Sequence, residues 1–219
     1  MSIFVEQSAY VCNMPETWLP LFPLNVVLFP RSALPLHIFE ERYKVLINEC
    51  VERGTPFGIS LVKKEELAGV GCTALVSSVT RRYDDGRMDI VVGGEKRYRL
   101  IRAEPGRAPY LMGAVEFFDE PEEAFDGELA AATAQAFNSF LVIAYRGSGS
   151  PIGPQLIKTG LSYVIAQKAG LDLFRRQELL EIPGENGRLR MLSDYLADLL
   201  PRLKRAEEVQ RVIKNDGYL

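Results

Sequence analysis

One histidine, His37, and three scattered cysteines, Cys12, Cys50 and Cys72, are all the imidazole and thiol ligands this chain holds. No two cysteines form a CxxC pair, so neither a zinc site nor a dithiol redox centre has its ligands, and no metal or cofactor is expected. An odd thiol count without a disulfide framework points to a reducing cytoplasm. No run of about eighteen apolar residues exists, which removes a membrane-spanning helix and a membrane partner. The first residues, MSIFVEQSAYVCNMPE, lack a basic leader and carry Glu6 in their apolar stretch, so they do not read as a secretory signal.

A basic excess is also missing. Lys and Arg total 26 against 29 Asp and Glu, so bulk charge does not mark a nucleic-acid module. Charge is clustered instead. Residues 81–107 hold eight Lys/Arg and five Asp/Glu, whereas residues 116–128 hold seven Asp/Glu and no base.

Catalytic signatures are absent in turn. IKTG (157–160) has Ile157 where a P-loop needs the glycine whose backbone cradles phosphate. GSGS (147–150) does not make the GxSxG elbow of a serine hydrolase. VVGGEKR (91–97) is not GxGxxG. His37 has no local nucleophile, and the Glu40/Glu41 and Glu65/Glu66 pairs read as solvated surface. The chain is expected to be non-catalytic.

What is present is a change of period. The first half reads as short strands with one helix. Four prolines, Pro20, Pro23, Pro30 and Pro35, interrupt an apolar stretch and argue against a central strand there, since each removes a ladder donor. VVLF (26–29) and LPLHI (34–38) are the expected strands of that region. FGISLV (57–62), 69–83, 87–92, 95–101 and 110–118 follow as strands, with Asp-Asp-Gly (84–86) as a hairpin turn and Gly93-Gly94 as another. Phe39, Tyr43, Leu46, Ile47 and Cys50 fall at helical spacing, predicting a helix over 39–53 ended by Gly54.

The second half is helical. Helices are predicted over 128–145, from about 156 to 170, over the DLFRRQELLE segment, and from an Asn186 N-cap to about Lys214. Pro201 lies inside the last and predicts a kink or break near 197–201. The architecture is α+β, with a β-rich part over 1–120 and a helical part over 121–219, joined by the acidic segment.

LPLFPLNVVLFPRSALPLHIFEERYKVLI (19–47) resembles the start of the N-terminal, substrate-binding domain of Lon proteases. The matching residues are Pro23, Leu24, Val27, Phe29, Pro30, Pro35, Leu36, Phe39, Glu40, Arg42 and Tyr43. GVGCTALV (69–76), GEKRYRL (94–100) and EIPGENGRLRMLSDYL (181–196) are similar to that family's later motifs, in order. The resemblance implies a PUA-like, highly curved mixed sheet with one helix, followed by a helical bundle ending in a long helix. It also implies binding of unfolded or tagged polypeptides or of a protein partner, such as a protease or ATPase. The chain carries no ATPase or Ser-Lys peptidase motif, so it is expected to be a stand-alone Lon-domain protein.

Two surfaces are candidates. The first is the proline-rich segment with Phe29, Arg31, Leu34, Phe39 and Tyr43, where helical spacing favours burial for Phe39 and Tyr43. The second is a basic face of Arg81, Arg82, Arg97 and Arg99, with Tyr83, Tyr98 and Tyr110 for stacking, which would bind RNA. Arg97 and Arg99 alternate and therefore share a side. The plainer reading of these arginines is a solvated face paired with Asp84, Asp85 and Glu95.

Overall fold

The computed structural model describes residues 17–147, 149–153 and 160–215; Cys12 and most of IKTG lie outside them. Seven strands come first: β1 (Thr17–Leu24), β2 (Ala33–Ile38), β3 (Phe57–Lys63), β4 (Glu66–Leu67), β5 (Val70–Arg82), β6 (Met88–Glu104) and β7 (Leu111–Phe117). One helix, α1 (Glu41–Arg53), separates β2 from β3. Four more follow: α2 (Gly127–Ala144), α3 (Leu161–Lys168), α4 (Leu173–Glu181) and α5 (Glu185–Asn215). This is the α+β arrangement expected, with a curved mixed sheet, one helix beside it, and a bundle ending in a long helix.

The sheet runs β1-β7-β6-β5-β3-β4 and closes on itself through a parallel β1–β3 pairing; β2 adds to β6 alone. Three register shifts along β5, at Cys72/Ala74, Val76/Ser78 and Val79/Arg81, supply curvature. β6 is the spine. Met88, Ile90 and Val92 alternate into the core, as a half-buried strand should. The Asp84–Gly86 hairpin forms, with Gly86 at φ 80 and the Tyr83 amide donating to the Arg87 carbonyl at 2.9 Å.

Four local expectations are corrected. Pro20 and Pro23 lie inside β1, not beyond it. The β1–β7 ladder spans Thr17 to Leu21 and the β1–β3 ladder Leu21 to Leu24, so each proline has a ladder on one side only. A missing donor there can face the open side. The expected strand at 26–29 is instead a buried connection: Val27 and Phe29 enter the helical core, while Leu28 enters the sheet core. Gly93-Gly94 is no turn, since β6 runs straight through it. Arg31 donates its amide to the Gly94 carbonyl and Gly94 donates to Ser32, both at 2.8 Å, and a Cβ on Gly94 would collide with the Phe29 carbonyl. Finally, α1 starts at Glu41, and Phe39 precedes it with 61% of its surface exposed.

α2 begins at Asp126, whose carboxylate accepts from the Leu129 amide at 2.9 Å. It buries Ala130, Thr133, Ala134, Phe137 and Leu141 at helical spacing. α5 presents Leu189, Leu192 and Leu196 to the same core. It continues through Pro201 without the expected break. Asn186 does not cap α5, because the helix starts at Glu185. The Asn186 side chain instead bonds the Asp126 amide at 3.0 Å and the Ala124 carbonyl at 2.8 Å, tying the acidic connection to the bundle. From Lys204 to Ile213, every residue of α5 is exposed.

Candidate functional site

Two concavities flank the seam between sheet and bundle. The first, of about 410 Å³, is walled by β6, the acidic connection and the starts of α3 and α5. Its floor contains two arginines whose side chains are only 2% exposed, Arg97 of β6 and Arg188 of α5. Arg97 donates to the carbonyls of Leu180 (3.0 Å), Ile182 (2.7 Å) and Pro183 (2.7 Å). Arg188 donates to Ile182 (3.1 Å) and Pro183 (2.8 Å) as well. These are carbonyls at and just past the C-terminal end of α4, which have no partner within that helix and carry the negative end of its dipole.

Glu120 bridges the two guanidinium groups at 3.1 and 2.9 Å, and Glu185 adds a contact to Arg188 at 2.8 Å. Burial works against the charge on Arg188, but Glu120, Tyr163 and Glu185 hold its pKa above the usual arginine value. Tyr163 stacks beneath Arg188 at 4.4 Å, and burial raises its phenol pKa; its hydroxyl has no hydrogen-bond partner among the described residues. The cluster fastens sheet to bundle, and the terminal guanidinium nitrogens of both arginines donate within it.

The second concavity, of about 670 Å³, lies between the β3–β4 hairpin and α4. Leu61, Leu67, Ala68, Leu173 and Phe174 line it. Phe174 is 64% exposed, and the Lys63 ammonium sits 4.5 Å above its ring. Gln177 donates to the Val70 carbonyl (2.9 Å) and to Glu181 (2.8 Å), and its own buried oxygen has no donor among the described residues. The lining offers apolar contact with charged groups around it, which suits side chains of an extended polypeptide.

The five residues singled out in the proline-rich segment do not converge. Phe29 is fully buried against the helices and Tyr43 is buried on α1, stacked 4.0 Å from Phe22. Neither is a surface contact, because the sheet and bundle cores both need apolar volume there. Arg31, at φ 62 in the turn after Pro30, lines the first concavity. Leu34 is half-buried on β2. Phe39 stands at the far end of β2, stacked on His37 at 6.1 Å. His37 donates from Nδ1 to Asp89 at 2.6 Å, and Tyr83 donates to the same carboxylate at 2.9 Å. These two bonds hold the Asp89 carboxyl below the usual range.

The proposed basic face also dissolves. Arg97 and Arg99 do share a side, both over the Phe118 ring at 4.8 and 5.4 Å, but Arg97 is buried. Arg99 pairs with Glu116 at 3.1 Å, Arg82 bonds Asn48 at 3.0 Å, and Arg81 lies over Tyr83 at 4.5 Å. Tyr98 is buried in the sheet, its hydroxyl 2.6 Å from Ser60. No continuous cationic surface with free aromatic faces results. Glu120, Tyr163, Phe174 and Arg188 were not singled out from sequence. Arg188 had a signal, since it falls four residues before Leu192 on the buried stripe of α5.

Among the described residues, no helix is long and apolar enough to cross a membrane. The sequence profile described as the ATP-dependent protease La (LON) substrate-binding domain matches residues 18–198. Lon protease 2 of Syntrophobacter fumaroxidans is 26% identical over 219 residues, covering 93% of this chain and 27% of that protein. Lon protease 1 of Bdellovibrio bacteriovorus is 28% identical over 214 residues, covering 90% and 26%. The chain thus spans about a quarter of the length of these relatives. Its fold is similar to the crystal structure of a Lon N-terminal domain protein from Xanthomonas campestris, with a TM-score of 0.62 at 23% identity, covering 83% of this chain and 98% of that one. The N-terminal domain of Mycobacterium avium complex Lon protease superposes with a TM-score of 0.61 at 21% identity, covering 83% and 99%. The profile match covers most of the chain: it belongs to the Lon substrate-binding domain family.

Proposed function

We propose that this chain is a non-catalytic module that grips apolar segments of unfolded or tagged polypeptides, or of a protein partner such as a protease or ATPase. The observation that carries the reading is the apolar concavity between the β3–β4 hairpin and α4, with Phe174 standing 64% exposed at its wall. A large aromatic left in water is costly unless something covers it, and burying it on binding returns about 1.5–3 kcal/mol. The free, buried thiols of Cys50 and Cys72 accord with a reducing cytoplasm, where we place the protein.

The test is fluorescence anisotropy with a labelled, reduced and alkylated polypeptide at low and high salt. Saturable binding that tolerates salt is expected. Phe174→Asp should weaken it roughly tenfold or more, since a charge then replaces the buried ring. Phe39→Ala, at the exposed aromatic beside β2, serves as the second arm. A larger loss there would move the site to the β2 end and Leu34. Unchanged affinity in both variants would sink the proposal. A labelled single-stranded RNA is the control, and RNA affinity falling steeply with salt would favour a nucleic-acid module instead.

A further inference from the structure

The first concavity is chemically unlike the apolar groove. Its outer wall is the acidic connection, and three phenylalanines, Phe117, Phe118 and Phe125, sit among its carboxylates. Phe117 and Phe125 are 42% and 41% exposed. Among the described residues, Glu95, Asp119 and Glu123 form no ion pair, and Glu123 accepts the Asn186 amide at 3.0 Å. The two cations in the floor are already balanced by Glu120 and Glu185. Arg97 and Arg188 already direct their donors to carbonyls, to Ser162, and to Glu120 and Glu185. Arg31 and Lys96 line the same cavity and offset part of the charge. Of the seven acids over residues 116–128, Asp119, Glu120 and Glu123 line the cavity, and with Glu95 and Glu185 the lining acids exceed its four bases by one.

Exposed ring faces beside unpaired carboxylates make a receptor for a cation. An ammonium or guanidinium gains from the ring quadrupole and from the carboxylates together. Phe118 already carries two such stacks, from Arg97 and Arg99. We propose that this cavity is a second recognition subsite, which takes a lysine or arginine side chain of the bound polypeptide, flanked by apolar residues. The inference rests on the polypeptide-binding reading and adds a charge preference to it. The apolar groove holds the segment through contact area, and the acidic–aromatic cavity selects segments that carry a base.

The experiment compares three labelled peptides of equal length and matched hydropathy, in which the same positions are Lys, Gln or Glu. The Lys peptide should bind the protein about fivefold to tenfold more tightly than the Gln peptide, with the Glu peptide weakest. Added salt should erode the Lys preference. Asp119→Lys and Phe125→Ala alter exposed side chains with no part in the Arg97–Arg188 cluster, so both variants should fold normally. Each should abolish the Lys preference while leaving Gln-peptide binding in place. Phe174→Asp should do the reverse, weakening all three peptides and keeping their order. Equal binding of the three peptides, or a preference that survives both cavity variants, overturns this inference alone. Binding of none overturns it together with the reading beneath it.

Discussion

Arg97 joins two parts of the chain that are far apart in sequence. Its guanidinium reaches three carbonyls at the C-terminal end of α4, between 83 and 86 residues away. Shortening it to alanine would strand the Leu180 carbonyl, leave those of Ile182 and Pro183 to Arg188 alone, and give Arg188 a larger share of Glu120. Arg97→Ala should lower the unfolding free energy by about 3 kcal/mol, the usual cost of removing one partner from a buried ionic cluster. Lysine should rescue little, since one ammonium cannot reproduce the planar fork. Urea denaturation measures both, and a loss below about 1 kcal/mol would show that the cluster is not the fastener described. From sequence, Arg97 read as half of a solvated pair with Arg99. The alternation of that strand was readable, but the α4 end that covers one of the two arginines comes from the other half of the chain.

Among the elements, β6 shows how a local rule can point the wrong way. Paired glycines signal a turn when only local conformation is weighed. Here Gly94 serves close approach, because the Phe29–Ser32 turn rests on it through two backbone hydrogen bonds. Gly94→Ala should therefore cost ~2 kcal/mol or more, as overpacking against rigid backbone does. Gly69→Ala is the control. It has nothing within 4 Å of a new Cβ and no positive φ, so it should stay within about 0.5 kcal/mol of the parent. Thermal or urea melts of the two variants decide the matter, and equal stability would refute the packing argument. The hairpin at Gly86 and the helices of the second half were readable, because turn chemistry and helical period are local signals. Pro20 and Pro23 in β1 were not, because which side of a strand lacks a ladder is a property of the closed sheet.

At the scale of the molecule, the division into 1–120 and 121–219 follows the change from strand to helix. We propose that these are subdomains of one cooperative unit. Val27, Phe29 and Leu61 from the first part are buried in the same cluster as Phe137, Ile165 and Leu192 from the second. Trp18, the only tryptophan, sits on β1 under Arg107 at 3.8 Å and reports on the sheet. Far-UV circular dichroism at 222 nm reports chiefly on the helices. The two signals should trace coincident urea transitions with one midpoint. Separate midpoints would mean the seam is weaker than its shared core implies. The fold class was readable from the change of period along the chain. The candidate sites were not, because both concavities are made where β-rich and helical halves meet, and no local pattern encodes that meeting.

Helix α5 starts in the core and ends in water. Leu189, Leu192 and Leu196 can let go of their hydrogen bonds only when the whole molecule opens. Among the described residues every one from Lys204 to Ile213 is exposed, so the last turns of the helix should wind and fray on their own clock, without disturbing the rest. One continuous helix thus carries two lifetimes, with Pro201 close to the place where one gives way to the other.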